Sequence, residues 1–508
     1  MKKWMLGAAL ATVLSSTPVL ADGGYYGGAL GARAAGRGGA FVARADDPTA
    51  ISINPAGLAD LRGWRLEVGN QFSYNSYAYT RAPTLDWGQE MNGTAPTVAF
   101  ARVTNGTPAQ AADPFIGVTT DFGLQDWGFG LAVYAPSGIA QEQFPVTGGQ
   151  NYMMTQRQAI ILDYAASAAW KYRELFGLGV TADVVSVPRL EYSLMINGNP
   201  FQGGINPVSS PYDLLAQTKG SDWFTMNARV GAWFRPEPWL EVAASGQVIP
   251  TDIVTHSTLA VSPQDQNLNP VQLRRGATGP NANDVTIRLP LPMMARAGLR
   301  YISLDQGVER WDLEVDVEYE TWSRVNQFTV DTNGLVAHAA TTNINIGTIV
   351  VPKQWKNVLS VKLGGDFALV PDRWKLRAGA YYESALAAPA YANVDFAGGP
   401  QVGGAVGGSL LDGALEVALT YQLRYMLTQT VSEADARVPQ QVPASPCVAP
   451  YTDPYNCSSH LPPGLPGPVI NAGTYNAMSH LVSVALIYRW GAAPTPAPFK
   501  QSESESQP

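Results

Sequence analysis

Cysteine and histidine, the residues that most often bind metals or act as nucleophiles, are scarce in this chain of 508 residues. The two cysteines, Cys447 and Cys457, lie ten positions apart with only His460 nearby, and no CxxC or HExxH spacing occurs. We therefore expect neither a metal site nor a cofactor. In an oxidising compartment, the expectation for such a pair is a disulfide that closes a local loop.

A hydrolytic site would need an activated nucleophile and a base. The chain has no Gly-x-Ser-x-Gly motif, and its histidines fall in predicted loops or at a strand end: His256, His338, His460 and His480. Any one of them still has the chemistry of a general base. A lipid hydrolase therefore stays open as an alternative, although the sequence favours a protein that is not an enzyme.

Charged side chains are instead arranged in rows with a period of two, the spacing of one face of a β-strand. In segment 310–324, apolar residues from Trp311 to Tyr319 alternate with five carboxylates, and the preceding segment carries a basic row. The two rows are Asp312, Glu314, Asp316, Glu318 and Glu320, and Arg288, Arg296 and Arg300. Five carboxylates in a row cannot face lipid, so we expect both rows to line the lumen of a barrel.

The same alternation recurs along most of the chain and predicts fourteen strands. Their approximate spans are 64–80, 114–123, 127–137, 157–173, 176–190, 222–235, 238–252, 285–302, 310–324, 355–369, 373–383, 400–411, 414–428 and 480–490. Very short turns alternate with long connections, which is typical of an outer-membrane barrel with periplasmic turns and extracellular loops. The predicted fold is all-β, a 14-stranded antiparallel transmembrane β-barrel over residues 64–490.

Composition and the amino terminus agree with export to a membrane. Met1-Lys2-Lys3, an apolar stretch and the site after Ala21 predict a signal peptide over residues 1–21. Its removal leaves 31 basic against 41 acidic residues, which argues against nucleic-acid binding. No later window has 18 uninterrupted apolar residues, so a helical membrane protein is not expected.

Aromatic residues cluster beside the predicted short turns. Trp127, Phe176, Trp239, Trp311 and Trp374 begin strands there, and Trp170, Tyr172, Trp233, Phe234 and Tyr301 end them. We expect these residues to form a girdle at one membrane interface.

Residues 22–63 do not alternate and are rich in glycine and alanine. Because a fourteen-stranded cylinder is too wide for its own side chains to fill, this segment is predicted to be a plug, or hatch, in the lumen. Asp46 or Asp47 is expected to cap a short helix with Pro48 in its first turn, and Asn54-Pro55 to end it. No Gly-x-x-x-x-Gly-Lys motif supports a phosphate loop.

The hatch resembles that of the FadL/TodX family of outer-membrane transporters for long-chain fatty acids and aromatic hydrocarbons. The matching stretches are Gly31-Ala32-Arg33, Gly36 to Ala50, Asn54-Pro55-Ala56-Gly57-Leu58, Trp127-Gly128-Phe129-Gly130, Ala135-Pro136-Ser137-Gly138 and Trp311 to Trp322. The resemblance implies that a hydrophobic compound binds in the extracellular half, passes the hatch and leaves sideways through the wall at a kinked third strand. The predicted gating residues are Asp46, Asp47, Asn54, Pro55, Ala56 and Gly57, and Gly128, Gly130 and Pro136 are expected to weaken the third strand.

Other choices stay open at this point. Arg33, Arg37, Arg44, Arg296 and Arg300 are expected to neutralise lumen acids, with pairing to a substrate carboxylate as the alternative. The long segments 191–221 and 429–479 are expected to form an apolar groove by which compounds enter. A non-selective diffusion porin, an adhesive barrel and a secreted soluble β-protein are the remaining alternatives.

The carboxyl-terminal region and the partners complete the expectations. Segment 480–490 ends in an aromatic residue, like the closing strands that the outer-membrane assembly machinery reads, and the tail 491–508 is expected to be disordered. The expected partners are a hydrophobic small molecule and outer-membrane lipids, and the expected state is a monomer.

Overall fold

The computed structural model describes residues 30–86, 89, 94–111, 114–136, 139–197, 206–209, 213–264, 271–339, 342–396, 398–441 and 468–491. The predicted signal peptide, residues 22–29 of the hatch, Cys447, Cys457, His460 and the tail after residue 491 lie outside the described residues.

The described chain consists mainly of β-strands. In chain order they are β1 (Trp64–Arg81), β2 (Thr84–Leu85), β3 (Thr97–Val98), β4 (Val103–Thr104), β5 (Ala109–Ala111), β6 (Phe115–Thr120), β7 (Trp127–Tyr134), β8 (Ile139–Gln143), β9 (Gln156–Tyr172), β10 (Phe176–Ile196), β11 (Leu214–Glu237), β12 (Leu240–Gln247), β13 (Asp252–Pro263), β14 (Gln272–Arg275), β15 (Asp284–Pro290), β16 (Met294–Asp305), β17 (Val308–Glu320), β18 (Gln327–Asp331), β19 (Leu335–Ala339), β20 (Thr342–Asn345), β21 (Ile349–Pro352), β22 (Val358–Val370), β23 (Trp374–Glu383), β24 (Gln401–Asp412), β25 (Leu415–Val431) and β26 (Gly473–Trp490).

Among the residues that the structure describes, helical structure is confined to short pieces. They are α1 (Ala32–Gly36), α2 (Ala50–Ile53) and 3-10 turns at Pro55–Asp60, Trp322–Arg324 and Pro389–Tyr391. In the described part of the chain, no helix is both long enough and apolar enough to cross a membrane.

The sheet closes on itself as an antiparallel barrel. Strand β1 pairs with β26 from Trp64↔Trp490 to Arg81↔Gly473, and its other edge pairs with β4, β5 and β6. At several places around the barrel, two strands that follow each other in the chain lie end to end and together form one strand of the wall. Examples are β7 with β8 and β15 with β16. The predicted fourteen-stranded antiparallel barrel is confirmed.

The membrane-facing surface of the barrel follows the predicted alternation. On β17, Trp311, Leu313, Val315, Val317 and Tyr319 are exposed, whereas the five carboxylates between them are buried. Strand β25 repeats this pattern, with Leu415 to Tyr425 outside and Glu416 and Arg424 inside. Because lipid solvates only the apolar face, charged residues are left to the lumen.

Most of the predicted aromatic girdle is present, with one correction. Trp127, Trp239, Trp311 and Trp374 are exposed beside the short turns. Trp233 was predicted to belong to this girdle, but it is buried and donates from Nε1 to the Ala56 carbonyl at 3.1 Å. Trp233 and Phe234 are neighbours in a strand, so they must point to opposite sides of the wall.

Several connections that were predicted to be loops contain β-structure. The segments 191–221, 253–284 and 325–354 include the end of β10, the start of β11, and the strands β13, β14 and β18 to β21. Two histidines that were predicted in loops lie in strands, His256 in β13 and His338 in β19, and His480, which was predicted at a strand end, lies within β26. Where both faces of a strand carry mixed residues, the period of two is hard to recognise in the sequence.

The hatch segment, residues 30–63, fills the lumen near the short-turn end. Almost all of its residues are buried, including Arg37, Phe41, Ile51, Asn54 and Leu58. Its 3-10 turn at Pro55–Asp60 contacts β7, β9, β10 and β11, and α1 contacts β24, β25 and β26. The hatch therefore packs against both sides of the barrel.

Candidate functional site

An apolar cavity occupies the half of the barrel next to the long connections. Strands β9, β10, β11, β13, β15, β18 and β21 and one residue before β24 line it. The lining residues are Arg157, Ala159, Leu190, Tyr192, Leu194, Ala216, Thr218, Leu259, Ile287, Leu289, Phe328, Val330, Ile349, Val351 and Phe396. Such a lining suits an apolar small molecule.

The cavity is apolar because the alternation changes phase partway along the wall. In β15, Ile287 and Leu289 are buried and Arg288 is exposed, whereas Arg300 is buried and Leu299 is exposed in β16. The interruption at 291–293 separates the two phases. The prediction that Arg288 faces the lumen was therefore wrong. A shift of one position moves every side chain to the other face.

Strand β10 undergoes a comparable change. Its pairing with β9 shifts register between Ser186 and Arg189, and its pairing with β11 shifts between Val185 and Leu190. Beyond these irregularities, Leu190, Tyr192 and Leu194 line the cavity. Strand irregularities thus convert a charged lumen near the hatch into an apolar one further out.

Two cations lie at the cavity, and each faces a carboxylate. Arg157 is buried, with its guanidinium carbon 4.0 Å from the ring centroid of Phe396 and Nη2 3.4 Å from Oε2 of Glu142. Behind the residues that line the cavity, the Lys353 ammonium forms an ion pair with Asp395. Burial lowers the pKa of Lys353, and the Asp395 carboxylate opposes this shift. Both pairs are therefore internally neutralised.

Four aromatic rings form one end of the site. Phe328, Trp355 and Phe396 pack edge to face, with ring centroids 5.1 to 5.9 Å apart, and Trp322 lies 5.2 Å from Trp355. Edge-to-face packing is the preferred arrangement of aromatic rings. This cluster gives the cavity a rigid aromatic wall.

Ion pairs fix the hatch to the charged part of the wall. Arg37 donates to Asp312 at 2.9 Å, to Glu314 at 2.8 Å and to Asp366 at 2.7 Å. Arg44 contacts Asp312 at 3.1 Å. Because these groups are fully or almost fully buried, each charge depends on its partners for solvation.

The carboxylate row on β17 also binds the hatch backbone. Asp316 accepts hydrogen bonds from the amides of Phe41 and Val42 at 2.7 and 3.0 Å. Glu314 accepts one from the amide of Ala43 at 2.7 Å. The row therefore serves as a set of acceptors for an irregular segment that lacks a strand partner.

Basic residues of the wall belong to the same network. Arg300 bonds to Asp312 at 2.6 Å and to Glu241 at 3.2 Å. Arg296 forms an ion pair with Glu318 and donates to the Ser52 carbonyl of the hatch at 3.2 Å. These contacts agree with arginines that neutralise lumen acids.

The two aspartates of the hatch differ in their roles. Asp46 contacts Arg33 at 2.7 Å and Arg44 at 3.3 Å. Asp47 Oδ1 accepts a hydrogen bond from the Thr49 amide at 3.0 Å, and burial raises its pKa against the effect of Arg33. Asp46 and Asp47 do not cap α2, which begins at Ala50 after Thr49, because Asp47 instead closes the turn before the helix.

Asn54 is the point at which the hatch changes direction. Its backbone is extended, with φ −148°, and Pro55 begins the 3-10 turn. The side chain accepts from the Ala56 amide at 3.2 Å and donates to the carbonyls of Val42 and of Ala232 in the wall, at 2.9 and 3.2 Å. The prediction that Asn54-Pro55 ends the helix is confirmed.

Glycines allow the hatch to touch the wall and to fold on itself. A Cβ at Gly128 would lie 2.0 Å from the Leu58 carbonyl oxygen, and one at Gly57 would lie 2.2 Å from that of Ala45. A Cβ at Gly130 would lie 2.7 Å from the Ile51 side chain. Gly130 pairs with Thr119 of β6 and with Ser167 of β9, and Gly128 pairs with Ala169 of β9, so the pairing is regular at both glycines. Weakening of this strand by the glycines stays a prediction, and their lack of a Cβ permits the close approach of the hatch.

The irregularity in the third wall position lies just beyond these glycines. Pairing of β7 with β9 runs as far as Tyr134↔Asp163, and β8 resumes it at Ile139↔Ile160. The chain advances five residues from Tyr134 to Ile139, whereas β9 advances only three between their partners, Asp163 and Ile160. The third strand of the wall therefore has a bulge of two extra residues here. Pro136, which has no backbone N–H, lies in the bulge.

A cavity on the lumen side of the wall and a groove on its membrane side lie close to this bulge. Inside, a cavity above the hatch is lined in part by Tyr134, Pro136, Arg229, Gly38 and Val42. Outside, an apolar groove is lined in part by Ile116, Leu131, Val133, Tyr164 and Met226.

A buried polar group separates the two spaces. The Tyr134 hydroxyl donates to Asp183 at 3.0 Å and lies 3.4 Å from Nη1 of Arg229. Tyr134, Asp183 and Arg229 are all buried.

Several site residues were not predicted from the sequence. Arg157, Lys353, Asp395 and Phe396 attract no motif, because their partners come from distant parts of the chain. The apolar alternation of Val285, Ile287 and Leu289 could have indicated an inward apolar face, but the strand was assigned a single phase over its whole length.

Residues 16–394 match the family described as outer membrane protein transport protein (OMPP1/FadL/TodX). No curated protein matches the chain.

Solved structures share the fold at low sequence identity. A Pseudomonas aeruginosa FadL homologue has a TM-score of 0.66 and 14% identity, and the match covers 94% of this chain and all of that one. The toluene transporter TodX of P. putida has a TM-score of 0.59 and 13% identity, with 92% and 99% covered. The toluene transporter TbuX of Ralstonia pickettii has a TM-score of 0.56 and 15% identity, with 91% and 99% covered. The chain thus belongs to the OMPP1/FadL/TodX family of outer-membrane transport proteins and forms a fourteen-stranded barrel in the bacterial outer membrane.

Proposed function

We propose that this protein is a passive channel for hydrophobic compounds, which enter the apolar cavity, pass the hatch and leave sideways through the barrel wall. The observation that carries this proposal is the apolar cavity in the long-connection half of the barrel, together with the buried hatch that fills the lumen near the short-turn end. An open porin would have a polar, water-filled lumen instead. The family and the toluene transporters among the similar structures support the same class of compound.

The exit is proposed at the bulge between β7 and β8. An inner cavity and an outer apolar groove lie on the two sides of the wall here. A compound that moved between them would reach the membrane core without crossing the polar surface of the outer leaflet. Ile161 of β9 lies opposite the bulge, since the pairing is interrupted between Asp163 and Ile160, and its side chain is buried on the lumen side, where Pro136 lines the inner cavity.

Uptake of labelled toluene and labelled oleate tests the proposed transport. Gram-negative cells without a protein of this family are compared with cells that express the wild-type chain or an Asn54→Ala variant. We expect at least one compound to enter faster with the wild-type chain and to lose that gain in the variant. Faster entry of small hydrophilic solutes, with no gain for either compound, would favour a porin. Release of fatty acid from lipid would instead reveal a hydrolase.

A disulfide across the bulge tests the proposed exit. Pro136→Cys with Ile161→Cys joins the bulge to β9, and oxidation is expected to stop uptake that reduction restores. The matched control is Thr430→Cys with Thr474→Cys on β25 and β26, where the two hydroxyls lie 3.4 Å apart. Uptake that continues in the protein with the oxidised Pro136→Cys and Ile161→Cys pair would contradict a lateral exit at this place.

We also propose the remaining organisation of the chain. Residues 1–21 act as a cleaved signal, residues 22–63 form the hatch, and the barrel works as a monomer among outer-membrane lipids after the assembly machinery has read β26. The protein has no enzymatic activity in this proposal. Mass spectrometry of the purified protein tests the cleavage site and the Cys447–Cys457 disulfide together.

A further inference from the structure

The apolar cavity has an unusual balance of charge. Among its lining residues Arg157 is the single charged one, and that side chain is 4% exposed. The guanidinium lies against the face of the Phe396 ring, and Glu142, 2% exposed, lies 3.4 Å away. The positive charge at the cavity is therefore already matched by a protein carboxylate.

The second cation near the cavity is matched in the same way. Lys353 and Asp395 are both almost inaccessible to solvent and form an ion pair. Tyr192, which lines the cavity, donates its hydroxyl to Asp395 Oδ2 at 3.1 Å. The Lys353 ammonium also lies 4.7 Å from the ring centroid of Phe328, another lining residue. The aromatic wall thus stands between the ammonium and the cavity.

Basic residues in the internal ranges that the structure does not describe do not change the charge balance of these two ion pairs. The internal ranges that the structure does not describe contain no lysine or arginine in their sequence. A carboxylate ligand at Arg157 or Lys353 would therefore have to share a cation that already faces Glu142 or Asp395. Either arrangement brings a second negative charge beside a buried protein carboxylate, which is unfavourable.

We propose that Glu142 and Asp395 set the specificity of this cavity, and that by neutralising Arg157 and Lys353 they restrict its ligands to uncharged hydrocarbons. This inference rests on the proposed function, because it names the class of compound that the channel carries. The carboxylates act through repulsion: they exclude a fatty-acid anion while leaving the contacts of an apolar ring or chain intact.

A second, more polar cavity is the competing place for a carboxylate. It shares Arg157 and Phe396 with the apolar cavity and is also lined by Glu142, Gln401 and Arg424. Arg424 donates from Nε to the Tyr381 hydroxyl at 2.8 Å. An Arg424→Gln variant separates this place from the apolar cavity.

The experiment measures uptake of labelled toluene and labelled oleate by cells that express the full chain. The wild-type protein is expected to accelerate toluene and not oleate. Glu142→Gln keeps the size of the side chain and removes its charge, so Arg157 becomes available to a ligand carboxylate. We expect the ratio of oleate to toluene uptake to rise about tenfold or more in this variant. Asp395→Asn is expected to raise the ratio in the same direction.

Two further variants guard against misfolding. Glu191→Gln removes a carboxylate that pairs with Arg189 and Lys219 at 2.9 and 3.3 Å and lies outside the cavity lining, and it should leave the ratio unchanged. Arg157→Met with Glu142→Leu removes both charges together, and its ratio of oleate to toluene uptake is expected to stay below that of Glu142→Gln, because no cation is left for the ligand carboxylate. Heat-dependent migration in gels verifies that each barrel has folded.

The outcomes separate this inference from the proposed function. If neither compound enters faster with the wild-type chain, the transport proposal itself fails. The inference is overturned if the wild-type protein carries oleate as fast as toluene, particularly if Arg424→Gln abolishes that oleate uptake. It is also overturned if Glu142→Gln and Asp395→Asn fold, carry toluene and still exclude oleate.

Discussion

Arg37 of the hatch and Asp366 of strand β22 lie 329 positions apart in sequence, yet Nη1 of the arginine is 2.7 Å from Oδ1 of the aspartate. The same guanidinium reaches Asp312 and Glu314 on β17. One hatch side chain therefore joins two wall strands.

Replacing Arg37 with methionine should unseat the hatch. The three carboxylates would remain buried without this cation, and removal of one partner from a buried ion pair costs about 3–5 kcal/mol. We expect a higher ion conductance in planar bilayers, because water and ions would enter the loosened lumen. Arg62→Met is the control, since Arg62 is partly exposed and lies 4.0 Å from Asp121. Equal, low conductance for both variants would show that the network does not hold the hatch.

A methyl group at Gly128 should also disturb the hatch. The Cβ of alanine would meet the Leu58 carbonyl oxygen at 2.0 Å, and neither atom can rotate away, because the oxygen belongs to the backbone and the position of a Cβ is fixed by it. Overpacking of this kind costs about 1–3 kcal/mol, so the Gly128→Ala barrel should unfold at a lower temperature. Gly404→Ala is the matched control, because its Cβ would meet no atom within 4 Å. Thermal scans followed by circular dichroism compare the two, and equal midpoints would contradict the close approach.

The hydrogen bonds of the Asn54 side-chain amide should stabilise the hatch more than the volume of this side chain does. Asn54→Leu fills similar space but leaves the carbonyls of Val42 and Ala232 without this donor, each at a cost of about 1–3 kcal/mol. We expect the hatch of this variant to be cleaved faster by a protease added to the purified protein. Asn476→Leu, whose side chain bonds to Thr428 on the exposed surface, is the control. Similar cleavage of both variants would mean that these hydrogen bonds do not hold the turn.

Two tryptophans of the wall should report opposite environments. Trp311 faces the membrane and is 40% exposed, whereas Trp233 faces the hatch and is 2% exposed. In vesicles with brominated lipids, Trp311→Phe should reduce the fraction of fluorescence that the lipid quenches. Trp233→Phe should not reduce it, because bromine does not reach the lumen. A loss of quenching with Trp233→Phe would place that side chain outside.

Local properties of the sequence were sufficient for the barrel. Alternation along β17 and β25 identifies which residues face lipid, because each strand residue points to the side opposite its neighbours. The change of direction at Asn54-Pro55 is equally local, since a residue before proline disfavours the helical conformation. The girdle prediction was wrong for Trp233. When two aromatic residues are adjacent in a strand, their residue type does not show which of them faces the membrane and which faces the lumen.

Tertiary structure alone decided the site. The partners of Arg37 and Lys353 come from distant strands and connections, and no spacing in the sequence records which charges meet in the lumen. The phase of each strand in the apolar half depends on interruptions at 186–190 and 291–293, which shift side chains between the two faces of the wall. The sequence by itself thus determined a membrane barrel with a hatch, because these follow from short-range periodicity and composition. The cavity, its neutralised cations and the bulge beside Pro136 required the closed wall, because they arise from contacts between strands.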